Sequence, residues 1–156
     1  MDKTRLLAQI VATLEHDLDV LTRAAQTAYE AATAEENIAE NKYDTLGLEA
    51  SYLATGQARR SAEIRTALQT YQQLLLRDHD PARGVQMSNL VTLEDEDGGQ
   101  RRVFLGPEAA GLKIGEADGL VTVITPRSPL GQQLLGKHVD DELRLGSQML
   151  LIVDVA

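Results

Sequence analysis

The sequence contains no cysteine and no tryptophan, and its aromatic residues are limited to Phe104 and four tyrosines, Tyr29, Tyr43, Tyr52 and Tyr71. The absence of cysteine excludes disulfides and thiolate metal sites and fits a reducing compartment. So few rings leave no stacking platform for single-stranded bases. Positive charge is also scarce: the formal net charge is -9, whereas autonomous binding to nucleic acid needs a basic surface to release counterions. If the protein works near DNA or RNA, another protein must hold the nucleic acid. The opening stretch, MDKTRLLAQIVATLEHDLDV, lacks a long apolar run and carries charges every few residues. Neither a signal peptide nor a membrane span is expected there, and a cytoplasmic location is the expectation.

What is present is enough to fold. The chain has 156 residues, 43% of them hydrophobic, which suits one ordinary domain or two small ones. Two periodicities divide it. From Leu7 the apolar positions run Leu7, Val11, Leu14, Leu18, Leu21, Ala25, Ala28 and Ala32, alternating steps of four and three, as in a heptad seam. A second seam runs Leu46, Ala50, Leu53 and then Ile64, Leu68, Tyr71 and Leu75, with the polar interval Gln57, Arg60 and Ser61 between its parts. Two such seams joined by a polar segment predict an antiparallel helical hairpin, a coiled coil, over residues 1–78. Arms of some 30 residues would extend roughly 45 Å. Small residues (Ala25, Ala28, Ala32, Ala50, Ala54, Gly56) gather toward the turn, and Gly47 and Gly56 each cost about 1 kcal/mol in a helix. A hairpin that is slim near its tip is one explanation; incidental sequence is the other.

That tip, residues 35–44, holds Glu35, Glu36, Glu40 and Asp44. A charged turn is most simply a solvated loop, and a carboxylate pair able to share a metal is the sharper alternative. The helical pattern breaks at Pro81 and Gly84, so residues 79–86 form a linker. Beyond it the period becomes that of strands: 89–93, an acidic turn at 94–99, then 101–105, 120–125 and 149–155. A short helix is expected from Pro129 to Leu135, with Ser128 as N-cap, Pro129 at the first position and Gly136 as its stop. Residues 87–156 therefore read as a small antiparallel sheet with one helix, making the whole chain α+β.

The stretch 123–142, VITPRSPLGQQLLGKHVDDE, resembles a signature of the Gre family of bacterial transcript cleavage and elongation factors: a strand, Ser-Pro-Leu, a short helix, Gly-Lys and an Asp-Asp turn. The resemblance implies that the second half is an FKBP-like domain that binds RNA polymerase at its secondary channel. It also implies that the hairpin tip reaches the polymerase active site and stimulates cleavage of backtracked RNA by helping to hold a second Mg²⁺. The chemistry would be the polymerase's own two-metal displacement, with water as nucleophile. No enzyme activity of its own and no tightly bound cofactor are implied, and Mg²⁺ would be shared with the polymerase.

Carried over residue by residue, Ser128, Pro129 and Leu130 are the polymerase-binding candidates. Asn37-Ile38-Ala39-Glu40-Asn41 overlays the family's tip, where the first acid is replaced by Asn37. Glu36, at i, i+4 from Glu40, can take that place on one helical face, so Glu36 and Glu40 are the metal candidates, with Asn37 and Asn41 supporting. A non-cleaving regulator or inhibitor in the same channel is the alternative that Asn37 favours. A coiled-coil adaptor or dimerisation protein is the alternative of another class, and a monomer is what a closed hairpin predicts.

Other motifs are weaker. His16, His79 and His138 lack zinc-like spacing. The run Gly106 to Lys113 has the glycine spacing of a phosphate loop without the Gly-Lys-Ser/Thr that would follow. Arg101 and Arg102 suit either a docking patch or cross-strand pairing with Glu94 to Asp97. The FKBP-like resemblance brings no isomerase activity with it, because one phenylalanine cannot line that pocket.

Overall fold

In the computed structural model the described residues are 2–36 and 43–156, with side-chain surroundings for 2–31 and 55–156. Two helices come first, α1 (Lys3–Glu36) and α2 (Tyr43–Gln72). Strands β1 (Leu90–Glu94), β2 (Gln100–Leu105), β3 (Lys113–Ile114) and β4 (Val121–Ile124) follow, with a 3₁₀ turn at Ala117–Gly119 between the last two. Helix α3 (Pro129–Leu134) and strands β5 (Glu142–Leu145) and β6 (Gln148–Val155) complete the chain. It divides into two compact units, one of Met1–Ile10 with Thr70–Ala156 and the other of Val11–Gln69.

In the helical unit, Leu14, Ser61 and Ala67 are buried, and Leu18, Leu21, Ile64 and Leu68 are half-buried. Ala25 and Ala28 are exposed. A Cβ at Gly56 would meet nothing within 4 Å, so this glycine makes room for no neighbour; its cost in helix propensity has no packing return. Leu75, expected on the second seam, lies beyond the end of α2 and is 77% exposed.

The other unit is built on a six-stranded sheet in the order β3-β4-β2-β1-β6-β5. The sheet is mixed, not antiparallel as the sequence suggested, because β2 and β4 run parallel with Arg102 opposite Val121 and Leu105 opposite Ile124. A parallel neighbour needs a crossover connection, and residues 106–120 supply it, returning through the short β3, which pairs antiparallel with β4. The tight β1–β2 hairpin is as expected. Asp95 closes it with its own side chain, its Oδ1 accepting from the Asp97 and Gly99 amides at 2.9 and 2.8 Å, an Asx turn. Arg101 stands opposite Leu93 and donates to Gln148 Oε1 at 3.2 Å; it is not turned toward the acids of the turn. Strand β5, directly after the Asp140-Asp141 turn, was not expected.

Both faces of the sheet are covered. Val91, Leu93, Val103, Leu105, Leu134 and Ile152 belong to one buried apolar cluster, which brings α3 onto one face. Alternation puts Phe104 on the opposite side from Val103 and Leu105, and it is fully buried as well, as are Leu6, Ile10 and Tyr71 at the helix ends of the same unit. Val103-Phe104-Leu105 is thus a run without polar alternation because β2 is interior on both sides.

Two polar tethers fix the helix ends within this unit. Ser88, fully buried and at φ 70°, accepts from the Arg77 amide through Oγ at 2.9 Å and donates its own amide to the Leu105 carbonyl at 2.8 Å. Its carbonyl accepts from the Lys3 ammonium at 3.0 Å, which also donates to the Arg77 carbonyl. Partial burial pushes the Lys3 pKa below the ordinary lysine value, with the charge of Asp78 acting the other way. The second tether is Tyr71, whose hydroxyl donates to the Glu108 carbonyl at 2.7 Å. It does so directly over Gly106, where a Cβ would overlap the phenolic oxygen.

Gly106→Ala is therefore expected to destabilise the sheet unit by about 1–3 kcal/mol through overpacking. Tyr71→Phe, which removes the overlapping oxygen, should recover part of that loss in the double variant. Urea titrations of the two single variants and the double variant check the non-additivity. Burial also raises the Tyr71 pKa, against the lowering effect of the bond to the Glu108 carbonyl. The sign follows: the contribution is complete below the unfolded value of 10.0 and is lost as pH rises above it. Tyr71→Phe should flatten the alkaline limb of the stability profile.

Candidate functional site

The segment Thr125 to Asp141 carries the sequence motif, and its geometry follows from a single hydroxyl. Ser128 Oγ donates to the Thr125 carbonyl at 2.7 Å and accepts from the Thr125 and Gly131 amides at 3.2 and 3.3 Å. It therefore closes the turn leaving β4 and caps α3 at once. Pro129 occupies the first helical turn, where no amide donor is needed and φ is already suitable. Leu130, Gly131 and Leu134 turn inward and are buried. At Gly131 a Cβ would overlap the Thr125 carbonyl oxygen, so the Ser-Pro-Leu-Gly sequence is held by close approach of two backbone segments.

The helix ends as expected at Gly136, φ 78°. The last turn is satisfied by backbone: the Lys137 amide donates to the Leu134 carbonyl at 2.9 Å, the Gly136 amide to the Val85 carbonyl at 2.9 Å, and the Val85 amide to the Lys137 carbonyl at 2.8 Å. The lysine's main chain thus meets the helix end. Past it, the His138 amide donates to Asp141 Oδ2 at 2.7 Å, and His138 Nδ1 lies 3.8 Å from the same oxygen. That pair shapes the turn into β5. Among the described residues no group of three or more histidine or acidic side chains could hold a metal ion.

Of the residues singled out from sequence, Ser128, Pro129 and Leu130 come together at the start of α3, but they do not present themselves equally. The Ser128 hydroxyl is committed to three partners in the chain, Leu130 is 8% exposed within the core cluster, and Pro129 is exposed. Glu36 is the last residue of α1. Asn37, Glu40 and Asn41 lie outside the described residues, as does the side chain of Glu36. A residue that sequence reading passed over is Arg127. Its side chain is 76% exposed, its Nη2 is 3.3 Å from Glu108 Oε2, and its carbonyl accepts from Gln132 Nε2 at 3.3 Å. The signal for it was adjacency to the motif; its acid partner, on the crossover, could be found only from the fold.

No protein-family model and no curated protein sequence matches the chain. Among solved structures it is similar to GreA factor homolog 1 (Gfh1) of Thermus thermophilus, at 19% identity over 94% of both chains with a TM-score of 0.40. It is similar also to Gfh1 of Thermus aquaticus, at 18% identity over 92% of both chains with a TM-score of 0.36. A third is the transcription elongation factor GreA/GreB of Nitrosomonas europaea, at 20% identity over 59% of this chain and 78% of that one, with a TM-score of 0.37. All three are Gre factors or Gre factor homologues. No helix among the described residues is long and apolar enough to cross a membrane.

The cap gives a direct test. Ser128→Ala should cost about 1 kcal/mol, the ordinary loss of a serine cap. Gly131→Ala should cost more, about 2 kcal/mol or above, because the backbone oxygen it meets cannot move aside cheaply. Chemical denaturation of each variant measures both.

Proposed function

We propose that this protein is a Gre-like transcription factor. On this reading it docks on bacterial RNA polymerase through its FKBP-like sheet domain and brings the turn between α1 and α2 into the secondary channel. The observation that carries the reading is the pairing of two parts in one chain. Helices of 34 and 30 residues, roughly 50 and 45 Å long at 1.5 Å per residue, flank a short segment containing Glu40 and immediately preceded by Glu36. The sheet unit in turn carries a capped Ser-Pro-Leu helix that matches the family's signature in order and spacing.

In this role the protein has no active site of its own. Glu36 and Glu40 contribute carboxylate oxygens to a Mg²⁺ that the polymerase and the RNA phosphate also hold, and Asn37 and Asn41 contribute neutral oxygens. Mg²⁺ keeps several waters and needs only one or two protein carboxylates beside substrate phosphates, so the demand on the tip is small. Nucleic acid is met only through the polymerase, consistent with a net charge of -9. The protein acts as a cytoplasmic monomer, and light scattering that gave a dimer would favour the adaptor reading instead.

Asn37 favours a second reading in which the tip fills the channel without promoting cleavage. An amide oxygen can ligate Mg²⁺ but brings no charge to offset it. The two readings separate in a stalled, backtracked elongation complex supplied with Mg²⁺. If the tip delivers metal, the protein accelerates RNA 3′-end cleavage, and Glu40→Ala or Glu36→Ala lowers that rate about tenfold or more, the scale of losing a charged group that acts on the transition state. No acceleration by wild-type protein that binds the polymerase would assign it to channel occupancy. No binding would sink both.

A further inference from the structure

We infer that Arg127 is the residue of the docking element that recognises the partner, and that Glu108 occupies its guanidinium as an intramolecular stand-in for a carboxylate on an acidic segment of the polymerase. This inference rests on the proposed function and goes beyond it by naming the specificity-determining side chain and the chemistry it reads. The first ground is elimination within the motif. Ser128 Oγ is saturated by Thr125 and Gly131, and Leu130 faces the core. Neither can offer a partner what it already gives the fold.

The second ground is how Arg127 is held. Its backbone is fixed from both sides, by the Ser128 amide donating to the Thr125 carbonyl at 3.0 Å and by Gln132 Nε2 on its own carbonyl. Its guanidinium nevertheless projects into solvent, 76% exposed. A rigid base under an exposed planar fork is the arrangement suited to carboxylate recognition. Pro129, next to it in the chain, is exposed as well.

The third ground is the chain's own demonstration that a carboxylate fits there. Glu108 Oε2 lies 3.3 Å from Arg127 Nη2, and the Glu108 side chain is itself 35% exposed. The main chain of Glu108 is pinned independently, by the Tyr71 hydroxyl on its carbonyl. The carboxylate can therefore leave Arg127 without unseating the crossover loop. An exposed pair of this kind contributes little to stability, so exchanging it for a partner's acid costs little. Once Glu108 turns away, Arg127 presents an acidic surface with a local positive charge on a protein of net charge -9.

The consequence is a pair of opposite signs. If Glu108 competes with the partner, removing its charge frees Arg127 and tightens binding; if the pair is merely structural, removing either member weakens binding or leaves it alone. The test is affinity for nucleic-acid-free core RNA polymerase, measured with full-length protein by biolayer interferometry at low and at high salt. Glu108→Gln should bind about two- to fivefold tighter, the range of an exposed ion pair. Arg127→Ala should bind about tenfold more weakly, Arg127→Glu more weakly still, and Arg127→Lys should restore part of the loss. All of these differences should shrink at high salt. Circular dichroism melts establish that each variant is folded. Wild-type binding with unchanged or weaker Glu108→Gln, or with Arg127→Ala equal to wild type, overturns the inference while leaving the proposed function standing. An Arg127 effect seen only when nucleic acid is bound in the complex overturns it too, assigning the guanidinium to phosphate. Absence of wild-type binding overturns both.

Discussion

The hydrogen bond from Tyr71 to the Glu108 carbonyl is the contact on which the arrangement of the sheet unit turns. It joins the last turn of α2 to the loop that leaves β2. That loop is the crossover that makes β4 parallel to β2, and β4 leads directly into the turn capped by Ser128. The bond is possible only because residue 106 has no side chain. A buried phenol without an acceptor would lose about 1–3 kcal/mol of desolvation unrecovered. With its acceptor it ties a helix, a crossover and the candidate docking element into one unit.

Much of this unit was legible in the sequence, for reasons that can be named. The β1–β2 hairpin announced itself through strand-prone apolar runs on both sides of an acidic turn ending in Gly98-Gly99, and α3 through Ser-Pro at its start and glycine after it. These are local signals, each generated by the backbone demands of one turn. What could not be read is non-local. The parallel pairing of β2 with β4 depends on a crossover whose only strand is the two residues Lys113–Ile114, too short for any period to show. Strand β5 was hidden because it is only four residues long and follows directly on the Asp140-Asp141 turn. On the first seam Leu14 is buried as expected and Leu18 and Leu21 are half-buried, but at its start burial falls at Leu6 and Ile10, one residue out of step with Leu7 and Val11. At that end the helix packs within the sheet unit, and a seam inferred for a second helix does not describe it.

For the candidate site, the sequence located the motif but assigned the roles by type. A serine beside a proline looks available; here its hydroxyl is consumed by the turn it builds. A leucine in an exposed-looking motif is core. The charged side chain left exposed is that of the arginine before them, and its pairing with Glu108 spans the crossover, so no spacing rule could have supplied it. The acidic segment is different: Glu36 ends α1, and under the proposed function Asn37 puts a neutral amide where a carboxylate would bind metal more strongly.

The strand order also bears on how the protein is made. Strand β1 lies between β2, its immediate neighbour in sequence, and β6, at the other end of the domain, with Val91 opposite both Val103 and Val155. During synthesis the β1–β2 hairpin exists for as long as it takes to build everything up to β6, and throughout that interval one edge of β1 is an unpaired row of amides and carbonyls flanked by Val91 and Leu93. Such an edge invites pairing with another nascent chain. The four consecutive acids Glu94 to Asp97 sit at the end of that strand, where like charges repel a second copy aligned in register. The charge at the end of β1 thus disfavours self-pairing of an edge that only the last strand of the domain covers.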